Sequence, residues 1–105
     1  DFTTEKYTVS VAGLYMVSFC FQIDNPEDQN LIVYLIKNGA DFREFRFGIS
    51  SNTNNLSVQG LDFLELDIGD IIWFDCWNIS DPIGTDLDFE AGEDETWINI
   101  IRLGQ

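Results

Sequence analysis

The 105-residue chain has no His, only five Lys and Arg together, two Cys and two Pro. The missing His removes the side chain that most often acts as general base near neutral pH and most often ligates a transition metal. Five basic residues stand against 19 acidic ones, a formal charge of −14. Phosphate backbones and anionic lipid surfaces are held by Lys and Arg, so this balance argues against nucleic acid and against membrane surfaces as partners. It suits a domain that meets cations or basic partners, or one that simply keeps its surface hydrated. Cys20 and Cys76 form no CxxC pair and lie inside the apolar runs Val17–Phe21 and Trp73–Trp77. Buried free thiols fit that setting, with a bridge between facing sheets as the alternative. No apolar run approaches membrane-spanning length, which argues against membrane insertion, and residues 1–105 hold no signal-peptide pattern. There is no Gly-rich phosphate loop and no Cys beside a base. With 19 acids a pair of carboxylates somewhere is unavoidable, so the two-carboxylate arrangement of glycosidases carries no information here. The chain reads as non-enzymatic.

What is present is a core and a rhythm. Hydrophobic residues make up 45%, with nine Phe, three Trp and three Tyr, enough to bury one domain of this length. Helix signals are nearly absent. β-branched and aromatic runs recur between Gly, Asn, Asp and Pro: Tyr7–Val11, Leu14–Ile23, Leu31–Ile36, Phe42–Ile49, Leu56–Leu66, Ile71–Ile79 and Thr96–Leu103. Asn38-Gly39 between two such runs is the strongest short hairpin signal, because both central residues of that turn need positive φ. Seven short strands with no helical crossover predict an all-β, antiparallel β-sandwich spanning residues 1–105 as a single domain.

The run Leu14–Ile23 is apolar on both parities: Tyr15, Val17, Phe19, Phe21 and Ile23 on one, Leu14, Met16, Ser18, Cys20 and Gln22 on the other. The last strand behaves similarly. Strands of this kind need cover on both faces, and in so short a chain a second subunit is the expected source, with a missing upstream strand or loop folded over the face as the alternative. Tyr15, Phe19, Phe21, Trp97 and Ile101 are the residues this reading assigns to an oligomer interface.

Two further stretches are candidates for chemistry. Asp86, Asp88 and Glu90 alternate within the acidic segment 81–95 and offer hard oxygens to Ca²⁺, although the EF-hand spacing is missing; a solvated acidic loop is the alternative, and no other cofactor is expected. Trp73-Phe74-Asp75-Cys76-Trp77-Asn78 sets aromatic rings beside polar groups, as a sugar site does. Alternation puts Trp73 and Trp77 on one face and Phe74 and Cys76 on the other, which equally suits core plus interface. Asn55-Leu56-Ser57 and Asn78-Ile79-Ser80 match the glycosylation triplet, a pattern that arises often by chance.

Gly13-Leu14-Tyr15 opening an aromatic strand, then Lys37-Asn38-Gly39, then Leu64-Glu65-Leu66 leading to Gly69-Asp70 and Trp73-Phe74, and finally Thr96–Leu103, follow one another in a familiar order. The pattern resembles the globular head of complement C-one-q and its tumour-necrosis-factor-like relatives over nearly the whole chain, from Phe2 to Leu103; the Phe-Ser-Gly usual in the last strand is replaced here. The resemblance implies a ten-stranded jelly roll that assembles as a homotrimer on a stalk. Its opening strands would lie before Phe2, and the start at Asp1 without Met fits a piece of a longer chain. It implies a trimeric head on a phage or virion fibre, or a decoration protein, serving assembly and host-surface recognition at the virion surface. The alternative is a secreted complement-like or bacterial-surface module that recognises protein or glycan from an extracellular or cell-surface position. A cap that only registers the stalk and binds nothing is a third reading.

Overall fold

The computed structural model describes residues 2–23, 29–49, 56–78 and 96–104. All the regular structure in them is β: β1 (Phe2–Thr3), β2 (Tyr7–Thr8), β3 (Gly13–Ile23), β4 (Gln29–Lys37), β5 (Ala40–Ile49), β6 (Leu56–Leu66), β7 (Ile71–Asn78) and β8 (Trp97–Gly104). The expected runs are all there. The first is shorter than its apolar pattern, and it is joined by β1, whose two residues pair with the same strand, β7.

Two antiparallel sheets result. One has the order β1–β7–β4–β5, with β2 also on β7; the other has the order β6–β3–β8. Every connection except the β1–β2 link and the β4–β5 hairpin passes from one sheet to the other. Those crossings, with β7 inserted between β1 and β4 and β3 inserted between β6 and β8, make the sandwich a jelly roll. The resemblance implied ten strands, and the described residues supply eight.

Asn38 and Gly39 carry φ of 54° and 84°, the two positive values that let a two-residue turn follow the twist of the strands it joins. That turn meets a second one. Asn38 Nδ2 donates to Asp70 Oδ1 at 3.0 Å, the Asp67 amide donates to Asp70 Oδ2 at 2.8 Å, and the Ile71 amide donates to Asn38 Oδ1 at 2.8 Å. Val9 is tied in by backbone bonds to Gly69 and Asp70. The Lys37-Asn38-Gly39 and Gly69-Asp70 motifs thus form one clasp, and it is structural.

The core is aromatic. Phe19, on β3, has its ring centroid 5.0 Å from Phe21, 5.1 Å from Phe45 on β5 and 5.1 Å from Phe74 on β7. The contacts with Phe45 and Phe74 cross between the sheets, and the tilted and edge-on geometry is the arrangement that ring quadrupoles favour. Gly60 lies opposite Phe19 on β6. A Cβ there would collide with the Phe19 ring and come within 2.8 Å of Phe45, so the absent side chain is the space that the ring fills. At the β5–β6 side of the sandwich Arg43 Nε stands 3.0 Å from Asp62 Oδ2. The pair is too poorly aligned to count as a hydrogen bond, but at that distance it still neutralises a carboxylate that β6 turns inwards.

Candidate functional site

β3 decides which surface of the molecule is open to a partner. Its odd residues face the other sheet: Tyr15, Phe19 and Phe21 are 3%, 1% and 0% exposed and belong to the core. They move from the expected interface to the inside of the sandwich. Tyr15 also spends its hydroxyl internally, donating to the Val11 carbonyl at 2.5 Å. Burial pushes that phenol up, Tyr7 beside it adds to the shift, and Arg102 partly offsets it.

The even residues of β3 face outwards, and their cross-strand partners share that face. Leu14 and Met16 stand there with Phe63 and Leu61 of β6 and with Ile101 of β8. Leu103 has the parity of Ile101. Leu61, Phe63 and Leu103 are each about half exposed and Ile101 is 40% exposed. This is an apolar area on a chain of charge −14. Trp97, opposite Cys20, and Ile101 are the two sequence-assigned interface residues that the fold places on this side. Leu61, Phe63, Met16 and Leu103 were not assigned. Their signal was present in the apolar alternate residues of β6, and the apolar neighbours on both parities of β3 hid it.

The opposite face of the molecule carries different chemistry. β7 turns Phe74 and Cys76 into the core and Trp73, Asp75 and Trp77 outwards, as alternation predicted. Tyr34 lies opposite Asp75, and the nearly buried Ile36 and Ile32 lie opposite Trp73 and Trp77. Lys6 Nζ sits 4.5 Å over the Trp73 ring, so that platform already holds a cation of its own chain. Thr3 Oγ1 donates to Asp75 Oδ1 at 2.8 Å. Trp77 is the most open of the three rings, at 44% exposed.

Neither cysteine is in a disulfide, and both are buried. They lie on opposite sides of their sheets' pairing pattern, Cys76 inside the sandwich and Cys20 on the outer face of β3. Desolvation pushes the Cys76 thiol up to about 12, which suppresses the thiolate needed for nucleophilic or metal-binding chemistry at neutral pH. Asp86, Asp88 and Glu90 lie outside the described residues, and so do Asn55 of one glycosylation triplet and Ile79 and Ser80 of the other. Among the described residues no three of Cys, Asp and Glu are grouped as a metal site would need.

A cleft of about 310 Å³ opens where β1 and the start of β8 come together. Phe21, Ile98 and Trp97 give it apolar walls, and Thr3, Thr4, Thr96 and Glu5 line the rest. Sequence reasoning missed it because it joins residues from the two ends of the chain, and no local pattern marks such a meeting.

No family model matches the sequence. A search of curated proteins likewise finds no match. Solved structures do match, among them the crystal structure of Rabbit GITRL, with a TM-score of 0.46 and 22% identity over 93% of this chain and 70% of that one. At that distance nothing about activity or partner is carried across, and the jelly-roll description stands on the strand order above.

Proposed function

We propose that this domain is a non-enzymatic head that works as a homotrimer, assembled through the outer face of the β6–β3–β8 sheet. The observation that carries the reading is the exposed apolar group Leu61, Phe63, Ile101 and Leu103, with Leu14 and Met16 beside them, on a chain otherwise dominated by carboxylates. Monomeric proteins seldom leave contiguous apolar area of this kind uncovered. The number three comes from the resemblance of the sequence to complement C-one-q and tumour-necrosis-factor-like heads. The setting we propose is the tip or decoration of a virion fibre, where the head registers the trimer and meets a host surface. A sandwich on a chain with 19 acidic residues suits that role.

Each of the four exposed residues is already about half buried, so covering the remainder is worth about 1 kcal/mol apiece. Summed over two contacting copies this reaches about 8 kcal/mol, within the ~4–15 kcal/mol that association costs in lost freedom. The four residues alone therefore leave assembly concentration-dependent. Mass photometry and sedimentation velocity on the wild-type chain and on Phe63→Glu test this. The expected result is a trimer that loosens on dilution and a variant that stays monomeric with an unchanged β-sheet circular dichroism spectrum. A wild type that remains monomeric at high concentration would overturn the reading; a dimer would retain the interface and reject the stoichiometry.

A further inference from the structure

The cleft between β1 and β8 has a polarity that its hydrogen bonds make explicit. Thr4 Oγ1 is spent, donating to the Glu5 carbonyl at 3.2 Å and accepting from the Phe74 amide at 2.9 Å. Thr3 Oγ1 uses its proton on Asp75 and keeps lone pairs. Thr96 Oγ1 accepts the Gln22 amide at 3.2 Å and retains a second lone pair. The exposed Glu5 carboxylate brings two more oxygens, and Asp75 stands behind Thr3 as a second negative charge. Against these acceptors the lining offers the Thr96 hydroxyl as a side-chain donor. Below them Phe21 and Ile98 form an apolar floor.

An acceptor-rich rim over an apolar floor complements a group that is all donor and sits on an apolar stem. Arginine is that group: its guanidinium has five N–H donors and no acceptor, and its methylenes pack against apolar surface. A sugar hydroxyl both donates and accepts and matches this inventory less well. The volume of about 310 Å³ is at the small end for ligand sites and suits one side chain rather than a large molecule. The charge of −14 adds a field that draws cations from every direction. Because its own chain supplies only five cations, the domain has few of its own to fill such a place.

We infer that this cleft receives an arginine side chain from a basic partner protein, with Glu5 as the charge-reading residue, Thr3 and Thr96 accepting its N–H groups, and Phe21 and Ile98 holding its stem. The inference stands apart from the proposed interface, whose apolar residues Ile101 and Leu103 lie at the far end of β8 from Trp97.

The test is an NMR titration of the whole chain with an end-blocked Gly-Arg-Gly peptide and with its citrulline counterpart, which has the same shape and no charge. The arginine peptide is expected to shift the Glu5, Thr96 and Trp97 signals saturably, with the citrulline peptide about tenfold weaker. Glu5→Gln is expected to weaken the arginine peptide by about the same factor. Glu65→Gln removes an equal charge from an exposed position of β6 and is expected to leave binding unchanged. Equal binding of citrulline, equal binding of a lysine counterpart, or equal losses in the two variants would each overturn the proposal. So would tighter binding of methyl glucoside at the same signals.

Discussion

A single missing side chain organises the core. Gly60 occupies an inward-facing position of β6, between Val58 and Asp62 on the same face, and at that position a larger residue is the norm. The Phe19 ring takes the place instead, and it touches Phe21, Phe45 and Phe74 in turn. A methyl group at position 60 has nowhere to go, since the atoms that it would meet belong to two rings held on all sides. Overpacking of this kind costs about 1–3 kcal/mol. Gly60→Ala is therefore expected to lower the free energy of unfolding by that amount in equilibrium denaturation, moving the midpoint down with the slope unchanged. The usual gain from replacing a strand glycine works in the opposite direction, so a neutral or stabilised variant would show that Phe19 has room to move.

At the scale of elements, the clasp between the β4–β5 turn and the β6–β7 turn has a pH signature. The side-chain hydrogen bond from Asn38 holds the Asp70 carboxyl below its ordinary value of 3.8, the Asp67 amide adds to the effect, and Lys37 contributes a weaker attraction. A carboxyl lowered in the folded state stabilises the fold above its ordinary value, and that stability is lost as pH falls through the lowered one. Acid titration of the wild type should show this loss below about pH 3.8. In Asp70→Asn it should be absent, at a cost near neutral pH of about 1 kcal/mol for the weakened clasp. If thermal melts of the two proteins keep the same spacing from neutral pH to acid, the clasp is not what holds Asp70 ionised. Much of this was legible beforehand, because Asn-Gly turns and the Asp67–Asp70 break are local chemistry. The direction in which β3 faces was not. Its two parities are both apolar, and its partner β6 misleads further: it turns Gly60 and Asp62 inwards and Leu61 and Phe63 outwards. Only tertiary context resolves that inversion, since Phe19 fills the space at Gly60 and Arg43 answers Asp62 from the other sheet.

For the whole molecule, charge and apolar area oppose each other. Three copies bring 3 × −14 = −42 formal charges together, while the face proposed to join them gains from burying leucine, isoleucine and phenylalanine. Among the described residues the carboxylates Glu5, Asp41, Glu44, Glu65 and Asp67 are exposed, and salt screens such charges over a Debye length of about 10 Å at 0.1 M and about 3 Å at 1 M. The apolar contribution does not weaken with salt, and sulfate strengthens it. Association should therefore tighten as ionic strength rises, the reverse of an interface held by ion pairs. Sedimentation velocity at a fixed low protein concentration, with sodium chloride raised from 0.05 M to about 1 M, is expected to shift the population from monomer towards the assembled state. Phe63→Glu should stay monomeric throughout, because added salt screens repulsion but does not replace the lost apolar contact. Assembly that instead dissociates with salt would mean that the copies are held by charged contacts, and the outer face of the β6–β3–β8 sheet would no longer account for them.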